Sequence, residues 1–234
     1  INKTLFATSS DDLRPAMTGV FFEFDGKGIQ FVATDAHRLV RYKRTDVSSP
    51  GTDSFIVPRK PLNLLKSVLP DNEDEITLNY NNNHFFVQHG ESKMSCRLID
   101  ARFPDYKVVI PTENPYKLVV NRLDFLGALR RVSVFSNKST YQVALNISGS
   151  ELQLASQDVD FSFEGNERMK CQYNGDDLLI AFNAKFLIEM LVATDSEEVY
   201  MELSTPSKAG LIKPQEQDES EELLMLVMPL MINQ

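Results

Sequence analysis

An internal repeat is the feature of this sequence that most restricts how it can fold. Three segments recur later in the chain, in the same order and with the same element type, at a spacing of 122 to 124 residues. The pairs are residues 32–35 with 154–157, residues 55–65 with 179–189, and residues 75–80 with 198–203. A constant spacing over three landmarks predicts a duplicated domain, and a copy of about 120 residues is large enough to hold its own core.

The order of the predicted elements gives the fold class. Each copy reads as a helix, a run of strands, a strand that leads into a second helix, and further strands. Predicted helices cover residues 1–9, 58–69, 122–135 and 183–194. Predicted strands cover residues 19–24, 28–34, 37–44, 54–57, 75–80, 84–89, 93–98, 143–148, 151–156, 160–164, 178–182, 198–203 and 223–228. The sequence therefore predicts an α+β protein with two helices per domain packed on mostly antiparallel sheet.

Loop signals divide the chain. Residues 48–51 predict a loop, and the Pro-rich residues 99–115 predict an extended connection between the two copies. We therefore place the first domain, with the connector, at residues 1–111 and the second domain at residues 112–234.

The composition is that of a folded, water-soluble protein. Of its 234 residues, 42% are hydrophobic and 24% are charged. No apolar run is long enough to cross a bilayer and no secretory signal is present, so we expect a cytoplasmic protein. Cys96 and Cys171 stand singly, without metal-ligand spacing, which predicts reduced thiols. The chain starts at Ile1 rather than at Met, which suggests a fragment cut within a helix.

Positive charge is concentrated on the predicted helices. The net charge of the chain is −9, yet the four helices together carry +6, which leaves −15 for the rest of the sequence. The helix at residues 58–69 carries Arg59, Lys60 and Lys66 and no acid. This segregation favours a surface that contacts the phosphate backbone of a nucleic acid without reading its sequence. A chance distribution of charges that serve solubility is the alternative interpretation.

Asp35, His37 and Arg38 are the strongest candidates for enzyme chemistry, for instance in a hydrolase. An Asp close to a His could orient a base and an Arg could hold an anion, but no usable nucleophile is evident. The competing interpretation is that Thr34 and Asp35 cap a turn, with His37 at the surface. The sequence has no nucleotide-binding, hydrolase or metalloprotease motif, and nothing in it predicts a metal or another cofactor. A structural protein without a ligand is a third possibility.

Four sequence blocks resemble a known family. Residues 32–39 read Val-Ala-Thr-Asp-Ala-His-Arg-Leu, which resembles the VATDGHRL block of the bacterial DNA polymerase III β subunits, the sliding clamps. Three further blocks resemble the same family in the family's order: residues 55–60, residues 102–106 and the ending at residues 227–230. Because the blocks span almost the whole chain, the sequence resembles the middle and C-terminal domains of a clamp that has three domains.

The resemblance implies a non-catalytic processivity subunit of the replicative DNA polymerase. Clamps of this family are rings of two chains that enclose duplex DNA, with helices around the hole; the fragment alone is expected to be monomeric. The implied partners are duplex DNA, bound without sequence preference, and the polymerase, clamp loader and repair proteins, which dock through short linear motifs. No cofactor is implied. The basic residues expected to face DNA are Lys3, Arg59, Lys60, Lys66, Arg130, Arg131 and Lys185.

The resemblance also implies a pocket for partner peptides between the two domains present here. The positions that match it are Met17, Thr34, His37, Arg38, Leu39, Pro104, Val109, Asn183, Phe186, Val227, Met228, Pro229 and Leu230. For Leu39, Val109 and Val227, simple core packing is an equally good interpretation. The sequence departs from the family at Ala36, where Gly is usual, and at Met231, which with residues 232–234 extends the tail.

Overall fold

The computed structural model describes residues 1–47, 51–70, 72 and 74–232. The chain forms two compact units. The first contains Ile1–Tyr106 and Glu219–Leu223, and the second contains Lys107–Asp218 and the chain from Leu224 onward. The domain boundary after residue 111 stays a prediction.

The first unit contains two antiparallel sheets and, among its described residues, one α-helix. Its strands are β1 (Gly19–Asp25), β2 (Ile29–Thr34), β3 (Arg38–Arg44), β4 (Thr52–Pro58), β5 (Thr77–Tyr80), β6 (His84–His89) and β7 (Ser92–Arg97). Helix α1 (Arg59–Val68) directly follows β4. One sheet has the order β3-β2-β1-β4 and the other has the order β5-β6-β7.

Among its described residues, the second unit contains two antiparallel sheets and two α-helices. Its elements are β8 (Tyr116–Asn121), α2 (Arg122–Val132), β9 (Gln142–Ser148), β10 (Glu151–Asp158), β11 (Phe163–Lys170), β12 (Gln172–Tyr173), β13 (Leu178–Asn183), α3 (Ala184–Val192), β14 (Glu198–Leu203), β15 (Gly210–Pro214) and β16 (Glu221–Val227), which belongs to this unit from Leu224 onward. One sheet has the order β11-β10-β9-β13, and the other has the order β12-β8-β14-β15-β16. No helix of the described residues is long and apolar enough to cross a membrane.

The strand order shows the duplication directly. The order β3-β2-β1-β4 of the first unit matches the order β11-β10-β9-β13 of the second, and the fourth strand leads into α1 or α3. Each of these helices is followed by an antiparallel three-stranded meander, β5-β6-β7 or β14-β15-β16. The fold class predicted from the sequence, α+β with mainly antiparallel sheet, is confirmed.

The core of each unit follows the predicted helix periodicity. Helix α1 buries Leu62 and Leu65, and α2 buries Phe125, Leu129 and Val132, none of which is more than 4% exposed. Residues three and four apart lie on one face of a helix, so these side chains form one apolar stripe. Burial of such a side chain stabilises the folded state by about 1.5–3 kcal/mol.

The first predicted helix is in fact a single 3₁₀ turn. Within residues 1–9, only Leu5–Ala7 is helical. Thr8 has an extended backbone, and its hydroxyl donates to the carbonyl oxygen of Leu5 at 2.8 Å. That bond offers the carbonyl a local partner in place of a continued helix. The described part of the first unit therefore has one α-helix instead of the two that were predicted.

Several strands also differ from the prediction. The strand predicted at residues 160–164 begins only at Phe163 and runs on to Lys170, because Ser162 has a φ of 53°, which is incompatible with extended backbone. Strands β8, β12 and β15 were not predicted; β8 begins directly after the predicted connector, which ends at residue 115, and β12 and β15 are short. The loop predicted at residues 48–51 lies outside the described residues except for Gly51.

Candidate functional site

The β2–β3 connection is a tight turn held by its own side chains. The Thr34 hydroxyl donates to the Arg38 carbonyl oxygen at 2.7 Å and accepts from the Ala36 amide at 3.1 Å. One carboxylate oxygen of Asp35 accepts from the amides of His37 and Arg38, both at 3.0 Å. The capping interpretation of Thr34 and Asp35 is therefore confirmed, and His37 lies exposed at the tip of the turn.

Arg38 is a buried structural side chain. Its Nε donates to Asp35 Oδ2 at 3.0 Å, and its Nη2 donates to the carbonyl oxygen of Phe6 at 2.7 Å. The guanidinium carbon lies 5.3 Å from the centroid of the Phe6 ring, and only 7% of Arg38 is exposed. These contacts tie the turn to the 3₁₀ segment near the N-terminus, so Arg38 positions its neighbours more than it presents a charge to solvent.

The same N-terminal segment also holds Met17. The Ser9 amide donates to the Met17 carbonyl oxygen at 2.8 Å. Residues 6–9 therefore connect the turn at Arg38 to Met17, which is partly exposed. Leu39 is 2% exposed and belongs to the core of the first unit. Pro104 is partly exposed, but no contact places it beside the turn.

In the second unit the C-terminal tail meets the start of α3. The Leu230 amide donates to the Ala181 carbonyl oxygen at 2.7 Å, two residues before Asn183. Asn183 caps α3 by accepting from the Lys185 amide at 2.9 Å, and Phe186 is partly exposed in the first turn of the helix. The structure thus brings Asn183, Phe186 and Leu230 to one end of the second unit.

Met228 is an exposed apolar side chain on a fixed backbone. It is 43% exposed, although its neighbour Val227 is fully buried and the bridge at Leu230 fixes the chain beyond it. Pro229 between them is partly exposed. Val227 is a core residue, whereas Val109 is 54% exposed in a 3₁₀ turn.

The basic residues expected to face DNA fall into two groups. Arg59, Lys60 and Lys66 are exposed on α1, which contains no acid, and Arg130 is exposed on α2. The others contact groups of their own unit. Lys3 pairs with Glu221 at 2.9 Å.

Arg131 forms two hydrogen bonds to Glu167, at 2.9 and 2.5 Å, and these hold the pKa of Glu167 below its usual value. Lys185 lies 3.4 Å from the centroid of the Tyr141 ring. Arg122, one of the cations counted on the predicted helices, instead donates to the carbonyl oxygens of Leu191, in the last turn of α3, and of Ser196. Cations that are neutralised or used structurally in this way are weaker candidates for phosphate contact than Arg59, Lys60, Lys66 and Arg130.

Metal or thiol chemistry finds no support in the described residues. They contain no group of His, Cys, Asp and Glu side chains that could hold a metal ion. Cys171 is buried and Cys96 is partly buried, both are free, and burial raises the pKa of both thiols. A raised pKa lowers the thiolate fraction and so makes both cysteines poor nucleophiles.

Ala36 carries backbone strain that can be measured. It has a φ of 76° at the first central position of the turn, a conformation that Gly adopts freely and that is costly for other residues. Ala36→Gly is expected to raise the free energy of unfolding by about 1 kcal/mol, measured by urea unfolding. Ala33→Gly, in the buried part of β2, is the control and should lower it. A loss of stability in Ala36→Gly would contradict the strained geometry.

The repeated unit and its sheet order define a protein of the DNA-clamp class, since the structural neighbours of this fold are sliding clamps. Family models of the DNA polymerase III beta subunit match the chain throughout, the central-domain model over residues 1–105 and the C-terminal-domain model over residues 107–228. The chain belongs to this family. Beta sliding clamps are processivity factors in DNA replication without catalytic activity, which agrees with the prediction that the chain is not an enzyme.

Individual relatives support the assignment. The beta sliding clamp of Treponema pallidum is 34% identical over 214 residues, which cover 89% of this chain and 57% of the relative. The clamp of Pseudomonas aeruginosa is 29% identical over 227 residues, which cover 96% of this chain and 61% of the relative.

Solved structures agree. A P. aeruginosa clamp bound to griselimycin superimposes with a TM-score of 0.92 at 28% identity, over 99% of this chain and 62% of that one. The beta subunit of Thermotoga maritima gives a TM-score of 0.90 at 29% identity, over 99% of this chain and 62% of that one. The chain therefore spans about three fifths of the length of the relatives it matches.

Proposed function

We propose that this chain is the docking part of a replicative sliding clamp. In this proposal it recruits polymerase, clamp loader and repair proteins through a short peptide motif. Joined to the rest of its protein in a ring of two chains, it encircles duplex DNA and contributes no chemistry of its own. A cytoplasmic location follows from partners that act on DNA. The enzyme alternative loses its support because Asp35 and Arg38 are committed to the turn.

The observation that carries the docking proposal is the exposed Met228. A methionine that stays 43% exposed between a buried Val227 and a fixed Leu230 presents apolar surface at low entropic cost to a ligand. Its flexible thioether can adapt to different partner side chains. Asn183 and Phe186 add a polar and an aromatic group at the same end of the unit.

Met228→Ala tests the docking proposal. We expect a labelled peptide of the Gln-x-x-Leu-Phe type to bind the chain with a Kd of about 1 μM, and the substitution to weaken binding about tenfold or more, because a central apolar anchor is removed. Fluorescence polarisation measures both constants. Met231→Ala is the matched control, since Met231 is 80% exposed and lies beyond the bridge, and it should change little. Equal affinities for the wild type and Met228→Ala would refute the role of Met228.

The exposed cations support the DNA part of the proposal. Arg59, Lys60 and Lys66 place three positive charges on α1 without an acid to neutralise them. Contacts of this kind are sequence-independent and weaken with salt, which suits a protein that must slide. Arg131 is a poorer candidate because Glu167 already neutralises it.

An edge strand of the second unit, β11, supports the proposed ring of two chains. Strand β11 lies at the end of the order β11-β10-β9-β13. Phe163 is the first residue of β11 and Phe161 lies two residues before it; they are 54% and 68% exposed and stack with their ring centroids 6.0 Å apart. Phe135 is 40% exposed and packs so closely on Gly165 that a Cβ there would meet its ring. A strand edge flanked by exposed aromatic rings suits an added strand from another domain.

A further inference from the structure

A compact group of two lysines and a tyrosine lies beside the start of α3. The Lys185 Nζ is 3.4 Å from the centroid of the Tyr141 ring, and the Lys138 Nζ is 6.0 Å from the same centroid. Both lysines are exposed and Tyr141 is partly exposed. We call Lys138, Tyr141 and Lys185 the cationic cluster.

The backbone of the cationic cluster is fixed. The Tyr141 amide donates to the Asn137 carbonyl oxygen at 2.8 Å, and the Ala184 amide donates to the Tyr141 carbonyl oxygen at 2.8 Å. Lys138 also donates to the Val134 carbonyl oxygen at 3.0 Å, which restrains its side chain. A cluster held in place before binding loses less entropy when a ligand arrives.

The charges of the cationic cluster are not neutralised within the described residues. Arg131 and Lys213, in the same unit, pair with Glu167 and Glu202. Lys138 and Lys185 make their close contacts with an aromatic ring and a backbone carbonyl instead. Lys185 is the main cause of a lowered pKa at the Tyr141 hydroxyl. A phenol hydroxyl can donate its hydrogen to an anion.

The place of the cationic cluster in the second unit indicates which kind of anion it binds. Lys185 is in the first turn of α3, next to Asn183 and Phe186, and the Leu230 bridge brings the C-terminal tail to the same end of the unit. These are the residues of the second unit to which the docking role was given above. An extended peptide lying against Phe186 and Met228 would therefore carry its flanking side chains towards the cluster.

We propose that the cationic cluster binds an acidic side chain of the docked partner peptide and makes this chain prefer partners with a carboxylate beside the apolar anchor. The inference rests on the proposed docking function. Two ammonium groups and a phenol provide three donor groups for one carboxylate. Lys185 is thereby assigned to the peptide instead of to DNA.

Peptide pairs test this inference. Each pair shares the Gln-x-x-Leu-Phe motif and differs by Glu or Gln at one position within or next to the motif, and fluorescence polarisation gives the Kd for each peptide. At low salt we expect at least one Glu peptide to bind about threefold or more tightly than its Gln counterpart, the size expected for exposed charge pairs. The preference should shrink at high salt because charges at the surface are screened.

Substitutions test which residues cause the preference for the Glu peptide. Lys185→Gln and Lys138→Gln should each reduce the preference for Glu and leave the Kd of the Gln peptide unchanged. Tyr141→Phe should reduce it less, since it removes one donor. Lys170→Gln, an exposed lysine on β11, is the control with the same charge change and should keep the full preference.

Each remaining result would overturn the inference in a recognisable way. If the Gln peptides bind and no Glu peptide is preferred, the docking function stands and the cluster has no role in it. If Lys185→Gln instead weakens binding to a duplex oligonucleotide and leaves the peptides unaffected, the cluster contacts DNA phosphate. If no peptide binds a folded sample, the docking function fails, and the inference fails with it.

Discussion

Phe182→Ala is expected to destabilise the second unit by about 4 kcal/mol. Phe182 is fully buried in β13, and a Cβ on Gly210 would lie only 3.3 Å from its ring. Removing the ring from a packed core loses its burial and leaves a cavity, a combination that typically costs about 3–5 kcal/mol. Because Asn183 follows directly and caps α3, we also expect the start of this helix to lose order.

Urea unfolding followed by circular dichroism measures this loss, and hydrogen exchange of β13 and α3 locates it. Leu179→Ala is the matched control: it lies on the same strand but is 47% exposed, so it should cost well under half as much. If the two substitutions cost the same, Phe182 does not have the central packing position that the structure gives it.

Gly19→Ala is expected to cost the first unit more than about 2 kcal/mol. A Cβ at Gly19 would lie 2.4 Å from the Val57 carbonyl oxygen and 2.8 Å from a methyl group of Ile56. The oxygen belongs to the backbone of β4, which pairs with β1, so it cannot move aside without opening the ladder. The added methyl group therefore has to displace one strand of the sheet.

Thermal unfolding of Gly19→Ala should show a melting temperature several degrees below that of the wild type. Gly51→Ala provides the control, since a Cβ there meets no described atom within 4 Å and should leave the melting temperature nearly unchanged. An unchanged melting temperature for Gly19→Ala would mean that β1 and β4 do not approach as closely as described.

The repeat and the helix periodicity made much of the fold predictable. The constant spacing between the copies predicted the duplicated domain, and the apolar stripe from Phe125 to Val132 predicted α2. Local contacts dominate such elements, so local sequence suffices. Strand β11 was predicted too short because its residues beyond Phe163 are mostly polar, as an edge strand allows. Strand β8 follows a proline at the end of the predicted connector and was not predicted as a strand, because its pairing with β14 is distant in sequence.

The sequence supplied a set of candidate site residues, and several contacts that these residues make could not be read from it. Nothing in the sequence shows that Arg38 turns inward to Phe6, because this contact spans 32 residues. Glu167 neutralises Arg131 across 36 residues, which is equally invisible to local patterns. The cationic cluster was missed for the same reason, since Tyr141 and Lys185 meet only when β9 and β13 pair.

Hydrogen–deuterium exchange with and without saturating Gln-x-x-Leu-Phe peptide tests the docking function most directly. We predict slower exchange in the second-unit group formed by residues 184–187 and 228–230. Strands β6 and β7 should be unaffected, because no docking residue lies on them. Protection confined to β6 and β7, or no protection under conditions where the peptide is bound, would contradict the account.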